Sequence, residues 1–510
     1  METIIKHAKC GFGIAMAVLS TLVPFWSFAQ VRIDWQQCYG NEGSSDYAVS
    51  IAPANDGFVV LGRIEKCHNP GLCNCDEGND TTPWLIKIDS VGMMAWQQCW
   101  QPWDGTDEYD NPVMIRKAVS PEGMEEYYTT ANSFGTYFVI NKVDGDGEVL
   151  WRRFVGITGF WMCPTADGGV ILGGTDGDGG GGKGIDTDDI IKLDCQGEKE
   201  WGLSLQLSEN VIGLSVYQSN DEDFYALAHS SSGAHFYKIS RDGQIEWRRN
   251  FGEGFYDRLY NIVELDDGFL LAGQSVSGMN GHHGGSDVWL VRTNKDGEVL
   301  WTYCYGGSSA EYSSDVFVNA KGGFTVFANT QSVDGDVQSN SQGEANVQKI
   351  WMFHINDMGA LEWELCIGAI QHSVRCNDVI QTCDYRYVLA GWMWNEDTPS
   401  GDVNCSNSQL LPSSEYNYWV LQVTDTINSA GVSEPVLQNE MRVFPNPTNE
   451  LFYIAGLEPV EVQVLDDLGQ RLKTFHCTNE IHLGGLPRGL YFIKAIMEDG
   501  KVYLDKVVKE

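Results

Sequence analysis

The chain has 510 residues, a formal charge of −37 and an aromatic content of 12%. Such a length exceeds one ordinary core, so it calls for several domains or one repetitive body. The charge repels phosphate backbones and anionic membranes, which sets nucleic acid and lipid surfaces aside as partners. With 17 Trp and 57 Gly, the composition favours strands joined by tight turns over helices.

The first thirty residues carry Lys6 and Lys9, then an apolar run from Gly11 to Phe28, with small residues at Ser27 and Ala29. This pattern predicts a signal peptide over 1–29, cleaved after Ala29 so that the mature chain starts at Gln30. No later segment approaches ~20 consecutive apolar residues, so no transmembrane segment is expected in the mature chain. Thirteen Cys follow the leader. In an oxidising compartment they predict disulfides with at least one thiol left over, and spacing alone does not give the pairing.

Tryptophan then recurs at Trp35, Trp96, Trp151, Trp201, Trp247, Trp301 and Trp363, each within a related phrase. Asp or Asn is followed three residues later by Gly and four residues after that by Trp, as in Asp89, Gly92, Trp96 and Asp194, Gly197, Trp201. The acid and Gly turn a hairpin, and the Trp falls on the returning strand. A second hairpin lies midway through each unit, as in Asp56-Gly57-Phe58-Val59-Val60-Leu61-Gly62. Four short strands per unit cannot bury their own faces, but copies arranged radially bury one another.

Seven units therefore predict an all-β, seven-bladed β-propeller over 30–425. The last unit ends at Tyr418-Trp419-Val420-Leu421-Gln422-Val423 without a Trp-bearing strand after it, whereas the mature N-terminus begins with one. That N-terminal strand is expected to complete the seventh blade. The phrase resembles the repeat of pyrroloquinoline-quinone-type and related β-propellers, although quinoprotein dehydrogenases of that group typically have eight blades and a vicinal disulfide, which this sequence lacks.

Residues 426–440 are polar and small, and read as a linker. Beyond it the alternation of Val460-Glu461-Val462-Gln463-Val464 predicts a small Ig-like β-sandwich over 441–510. Four phrases there resemble the type A sorting domain of the Bacteroidota type IX secretion system. They are Phe444-Pro445-Asn446-Pro447-Thr448, Val464-Leu465-Asp466-Asp467-Leu468-Gly469, Leu486-Pro487-Arg488-Gly489-Leu490-Tyr491 and Lys506-Val507-Val508-Lys509. The resemblance places the sorting signal on Pro445, Asn446, Pro447, Asp466, Gly469, Gly489, Tyr491 and Lys506. It implies export across the outer membrane, recognition by the type IX machinery, and removal by a sortase-like protease, leaving the chain secreted or surface-attached.

Candidate chemistry upstream is sparse. The repeated Trp read as packing between sheets. Cys38, Cys99, Cys304 and Cys366 each stand three positions after a repeat Trp and read as small buried packing residues. Cys67, Cys73 and Cys75 suggest a disulfide staple, and Cys376 and Cys383 flank a hairpin they are expected to bridge. In the segment 176–189, Asp176, Asp178, Asp186 and Asp188 stand on a Gly-rich backbone able to wrap Ca2+; Asp334 and Asp336 are a weaker candidate. His282 and His283 read as exposed loop residues. Trp392 and Trp394, alternating at a strand end, are expected with Trp100 and Trp103 to form an aromatic platform for a glycan or protein ligand.

No catalytic motif is found. The sequence therefore favours a non-enzymatic surface propeller binding an extracellular ligand. Its rivals are a polysaccharide or peptide hydrolase or lyase working at the propeller axis, and a structural surface component. Carboxylates or His converging at the axis would favour the enzyme.

Overall fold

A computed structural model describes residues 31–40, 45–64, 82–100, 110–118, 124–133, 137–155, 157–176, 188–205, 213–252, 254, 256–277, 281–319, 322–340, 347–382, 385–394, 401–404, 416–425, 441–448, 451–455, 459–465, 471–476, 478–484, 486–497 and 502–509. No helix occurs among the described residues, and none is therefore long and apolar enough to cross a membrane.

Seven antiparallel four-stranded sheets form the body. Blade 1 consists of strands Asp46–Pro53, Gly57–Ile64, Thr82–Asp89 and Met94–Cys99, designated a to d from the axis outward. Blades 2 to 6 repeat that order over 110–155, 157–203, 213–251, 258–305 and 311–367. Blade 7 takes strands a to c from Val374–Gln381, Arg386–Trp394 and Tyr416–Asp425, and strand d from Val31–Tyr39. The first described strand thus pairs with the last of the body, from Val31 opposite Asp425 to Tyr39 opposite Tyr418. Each inner strand packs on the preceding blade, and that of blade 1 packs on blade 7, which closes the ring.

The core lies between the blades. Along strand b of blade 1, Val60 packs toward blade 7 while Val59 and Leu61 pack toward blade 2. Period-two alternation thus places successive side chains against two different neighbours, which is why these strands read as unbroken apolar runs.

The Asp–Gly–Trp phrase joins adjacent blades. Asp89 Oδ1 accepts the backbone N–H groups of Val91 and Met93 at 3.0 and 2.8 Å, fixing the turn between strands c and d. Gly92 ends that turn at φ +82°, a conformation that favours glycine. Its missing Cβ leaves room for the Trp35 ring of blade 7, which would otherwise lie 2.9 Å from it. Trp35 Nε1 donates to Ser90 O of the same turn at 3.0 Å. Gly197 repeats the arrangement under Trp151, whose Nε1 donates to Cys195 O at 3.0 Å. The repeat Trp are accordingly half-buried braces across blade boundaries, with Trp363 alone of the seven buried.

The recurrent Cys follow from cross-strand volume. Cys38, Cys99, Cys304 and Cys366 stand opposite Trp419, Trp84, Trp289 and Trp351, all four of them fully buried. A small side chain on strand d gives each indole of strand c its space. The four differ in redox state: Cys38 and Cys99 are disulfide-bonded, while Cys304 and Cys366 are free thiols. Cys376 also keeps its thiol, buried beneath the blade 6 to blade 7 core, so the expected bridge to Cys383 is not formed.

After the body, strands Arg442–Phe444, Leu451–Ala455 and Glu480–His482 make a three-stranded sheet, and Arg471–His476, Glu461–Leu465, Gly489–Ile496 and Val502–Lys509 a four-stranded one, in those orders. Both bury side chains in one cluster containing Phe452, Val462, Ile481 and Ile493.

Candidate functional site

The two faces of the ring are unequal. Turns between strands a and b and between c and d are short, whereas the connections from b to c and from one blade's d to the next blade's a include the long segments 65–81, 276–286, 331–348 and 395–415. Loops of a rigid scaffold are where binding groups concentrate, so the long-loop face is the place to look.

Trp392 and Trp394 lie on that face at the end of strand b of blade 7, with Tyr416 entering strand c beside them. Trp394 pairs directly with Tyr416 across the ladder. Trp392 and Trp394 each meet the Tyr416 ring edge-on, at centroid distances of 4.7 and 4.8 Å. Blade 1 adds Tyr47, 5.1 Å from Tyr416 and 6.2 Å from Trp392. The Arg63 guanidinium covers Tyr47 at 4.5 Å and donates to Asn111 Oδ1 of blade 2 at 3.2 Å. Four half-buried rings and one fixed cation thus span the boundary of blades 7 and 1. Edge-to-face rings hold one another rigid, and their outer faces and Arg63 offer stacking and hydrogen bonding to a planar or pyranose surface.

Trp100 has a different place. It stands four residues after Trp96, the position filled after other repeat Trp by Tyr39 and Tyr305. Those tyrosines donate to Gly92 O and Gly359 O of the next blade's turn, and Trp100 Nε1 likewise points to Gly147 O at 3.4 Å. It packs against the core between blades 1 and 2. Trp103 lies outside the described residues.

At the axis, charged groups converge but are engaged with neighbouring blades. Asp315 Oδ2 of blade 6 accepts Val379 N–H of blade 7 at 3.0 Å, Asp378 Oδ2 of blade 7 accepts Ile51 N–H of blade 1 at 3.0 Å, and Ser50 Oγ of blade 1 accepts Ile115 N–H of blade 2 at 3.1 Å. Each acceptor follows a bulge in its inner strand, which turns the side chain toward the next blade. Arg116 closes the series, donating to Asp378 Oδ2 and Ser50 Oγ at 2.9 Å. These carboxylates clasp inner strands together.

Burial and the nearby Asp378 charge push the Asp315 carboxyl well above the usual carboxylate range, although Arg116 opposes them. An acid whose pKa is raised by folding contributes stability that is present below its unfolded pKa and lost as pH rises through the folded value. Asp315→Asn keeps an acceptor for Val379 and removes the ionisation. It is expected to raise stability at neutral pH by about 1 kcal/mol, with the gain over wild type shrinking on acidification; melting curves across pH check both.

Among the calcium candidates, Asp176 ends strand b of blade 3, and Asp188 Oδ2 is 2.8 Å from Lys199 Nζ. Asp178 and Asp186 lie outside the described residues. Asp334 Oδ1 accepts Ser308 N–H at 2.7 Å, which lowers its pKa, and Asp336 Oδ2 accepts Gly306 N–H at 3.1 Å, burial raising its pKa. Both acids hold the loop leading into blade 6. His283 Nδ1 is 3.6 Å from Asp287 and 3.8 Å from Asp336. No group of three or more His, Cys, Asp or Glu able to hold a metal occurs among the described residues.

In the C-terminal sheets, Asn446 joins the first and last of the four phrases. Its Nδ2 donates to Lys506 O at 2.7 Å and its Oδ1 accepts Val508 N–H at 3.0 Å. Pro445 and Pro447 flank it, each after a cis peptide bond. Tyr491 is buried, donating to Pro487 O at 2.5 Å, and Gly489 opens its strand. The Lys506 side chain is exposed. Asp466 and Gly469 lie outside the described residues.

Residues 442–510 match the family described as the secretion system C-terminal sorting domain. The C-terminal region is therefore a type IX sorting domain, and the chain is secreted or attached to the outer-membrane surface. No curated protein matches the chain. Solved structures similar to it include the WD40 domain of Pan2 from Neurospora crassa, at 9% identity and a TM-score of 0.43 over 77% of this chain and 95% of that one. A protein of unknown function from Dyadobacter fermentans gives 11% and 0.39 over 78% and 99%. The extracellular domain of a putative one component system from B. thetaiotaomicron gives 12% and 0.41 over 93% and 59%. The seven-blade count rests on the chain's own strand pairing rather than on these likenesses.

Proposed function

We propose that the protein is a surface-displayed binding propeller that captures an extracellular glycan or protein on its long-loop face, at the rings of Trp392, Trp394, Tyr47 and Tyr416. The observation carrying this reading is that these half-buried aromatics from two blades meet at one loop-bearing boundary, with Arg63 fixed beside them. An aromatic surface with few but well-placed polar groups suits a ligand that offers both a flat apolar face and hydroxyl or amide groups.

The remaining parts of the proposal concern delivery and folding. A signal peptide cleaved after Ala29 brings the chain to the periplasm, and a sortase-like protease removes the sorting domain after outer-membrane passage. Disulfides at Cys38 and Cys99 suit an oxidising destination. Calcium in the loop of Asp176, Asp178, Asp186 and Asp188 is a further part of the reading.

Purified chain screened on glycan and host-protein arrays, with and without calcium, is expected to bind at least one ligand. Trp392→Ala is expected to weaken that binding tenfold or more, the scale of about 1.4 kcal/mol for a lost aromatic contact. Absence of binding in both conditions, together with turnover of a polysaccharide, would overturn the proposal in favour of a hydrolase or lyase.

A further inference from the structure

A recess lies where the inner strands of blades 3, 4 and 5 meet strand b of blade 4, away from the Trp392 cluster. It is half-open, with a volume of about 150 Å³, and is lined by Trp161, Gly213, Leu214, Ser215, His229, Leu259 and Tyr260. That volume holds one six-membered ring; an engineered apolar cavity of similar size binds benzene. Two local irregularities bring aromatic side chains to it. Tyr260 occupies the bulge between Leu259 and Asn261 in the inner strand of blade 5, and the inner strand of blade 3 shifts register just before Trp161. Bulges next to a site commonly re-aim side chains in this way.

The polar part of the recess is what departs from ordinary packing. Ser215 Oγ and His229 Nδ1 are buried without hydrogen-bond partners, their residues being 5% and 6% exposed. Orphaned polar atoms of this kind are uncommon in folded proteins, and leaving one dry is destabilising. The His229 ring meets Tyr260 edge-on at 5.9 Å and lies against the backbone of Gly213, where a Cβ would be 2.3 Å from its Cε1. Burial, together with the Arg258 charge, pushes the imidazole pKa down to about 4, so at neutral pH it is an uncharged donor and acceptor.

We propose that this recess is a second binding site, for a single neutral sugar ring, with Trp161 and Tyr260 bordering its apolar face and Ser215 and His229 taking its hydroxyls. A purely apolar ring leaves both orphaned atoms unsatisfied, and among the described residues no carboxylate or cation is part of the lining, the nearby Arg258 being engaged with Tyr260. A pyranose supplies the apolar face and the hydroxyls, seating its ring in the half-open recess with its remaining substituents outside. A ligand of about a dozen heavy atoms binds with a dissociation constant on the order of millimolar.

The test is saturation-transfer NMR of the full mature chain against a panel of neutral hexoses and pentoses, with phenol and indole as aromatic probes. At least one sugar is expected to bind. Ser215→Ala is expected to weaken it about tenfold while the melting temperature of the ligand-free protein stays level or rises, because the substitution removes an orphaned hydroxyl. A residue serving packing alone gives no such loss of binding. Gly213→Ala, whose Cβ displaces the His229 ring, is expected to weaken binding as well, and Trp392→Ala to leave it unchanged. Three results would overturn the inference: no sugar binding, preferential binding of phenol or indole, or sugar binding lost in Trp392→Ala and kept in Ser215→Ala and Gly213→Ala. The last would assign the sugar to the aromatic cluster of blades 7 and 1, and the array screen tests that cluster independently of this recess.

Discussion

A chain lacking Val31–Tyr39 is expected to lose the cooperative fold of the propeller. The segment is the outer strand of blade 7, paired with Tyr416–Asp425 along its length. Its removal exposes the hydrogen-bonding edge of Tyr416–Asp425 and uncovers two inter-blade clusters, into which Val31, Ile33, Trp35, Cys38 and Tyr39 pack. Partial burial of these side chains amounts to about 5 kcal/mol at ~25 cal/mol per Å², comparable with the whole stability of many domains. The exposed edge also invites pairing with other chains. Deletion should therefore give aggregated or protease-sensitive material, measured by gel filtration and limited proteolysis. A monomer with the wild-type melting temperature would show that the ring does not depend on this closure.

The second large effect is expected at Asp378. Its Oδ2 accepts from Ser50 Oγ at 2.5 Å, Ile51 N at 3.0 Å and Arg116 Nη1 at 2.9 Å, and its side chain is only 8% exposed. Asp378→Ala leaves a backbone N–H and a largely enclosed guanidinium without their acceptor, a loss of about 3–5 kcal/mol. Asp378→Asn retains an acceptor for Ile51 and should cost less. Urea unfolding of both variants measures the difference. A change below about 1 kcal/mol for Asp378→Ala would mean that water replaces the clasp.

The contrast between Asp378 and Asp315 shows where sequence reasoning stops. Both acids sit on equivalent inner strands, and nothing local marks one as the salt-bridge partner of Arg116 and the other as the acid with the raised pKa. Their environment is set by Arg116, roughly 200 to 260 positions away in the chain, which reaches the axis only after the ring closes. By contrast, the propeller was legible because its determinants are local. Asp89, Gly92 and Trp96 fix a turn and a strand within eight residues, and the missing outer strand of the last unit pointed to its replacement at the N-terminus. The inter-blade partners of Trp35, Trp96, Trp151, Trp201 and Trp247 were not legible, since the Gly each rests on belongs to the next repeat.

For the aromatic cluster, the alternation of Trp392 and Trp394 was visible, and that of Tyr416 and Tyr418 is a matching signal that could have named the facing strand. Tyr47 and Arg63 belong to another blade and required the fold. Trp100 takes its repeat position, four after Trp96, where Tyr39 and Tyr305 make the same brace. The orphaned atoms of Ser215 and His229 had no sequence signature, because an unmade hydrogen bond is a property of surroundings. The C-terminal phrases were legible as a pattern, and the contact of Asn446 with the strand containing Lys506 and Val508 explains in part why they occur together.

Delivery by the C-terminal domain is the premise on which the binding proposals depend, and localisation tests it most directly. In intact cells, full-length protein should be reached by added protease or recovered from the medium, whereas a chain lacking 442–510 should stay protected in the periplasm. Equal surface exposure of the two chains would contradict the account.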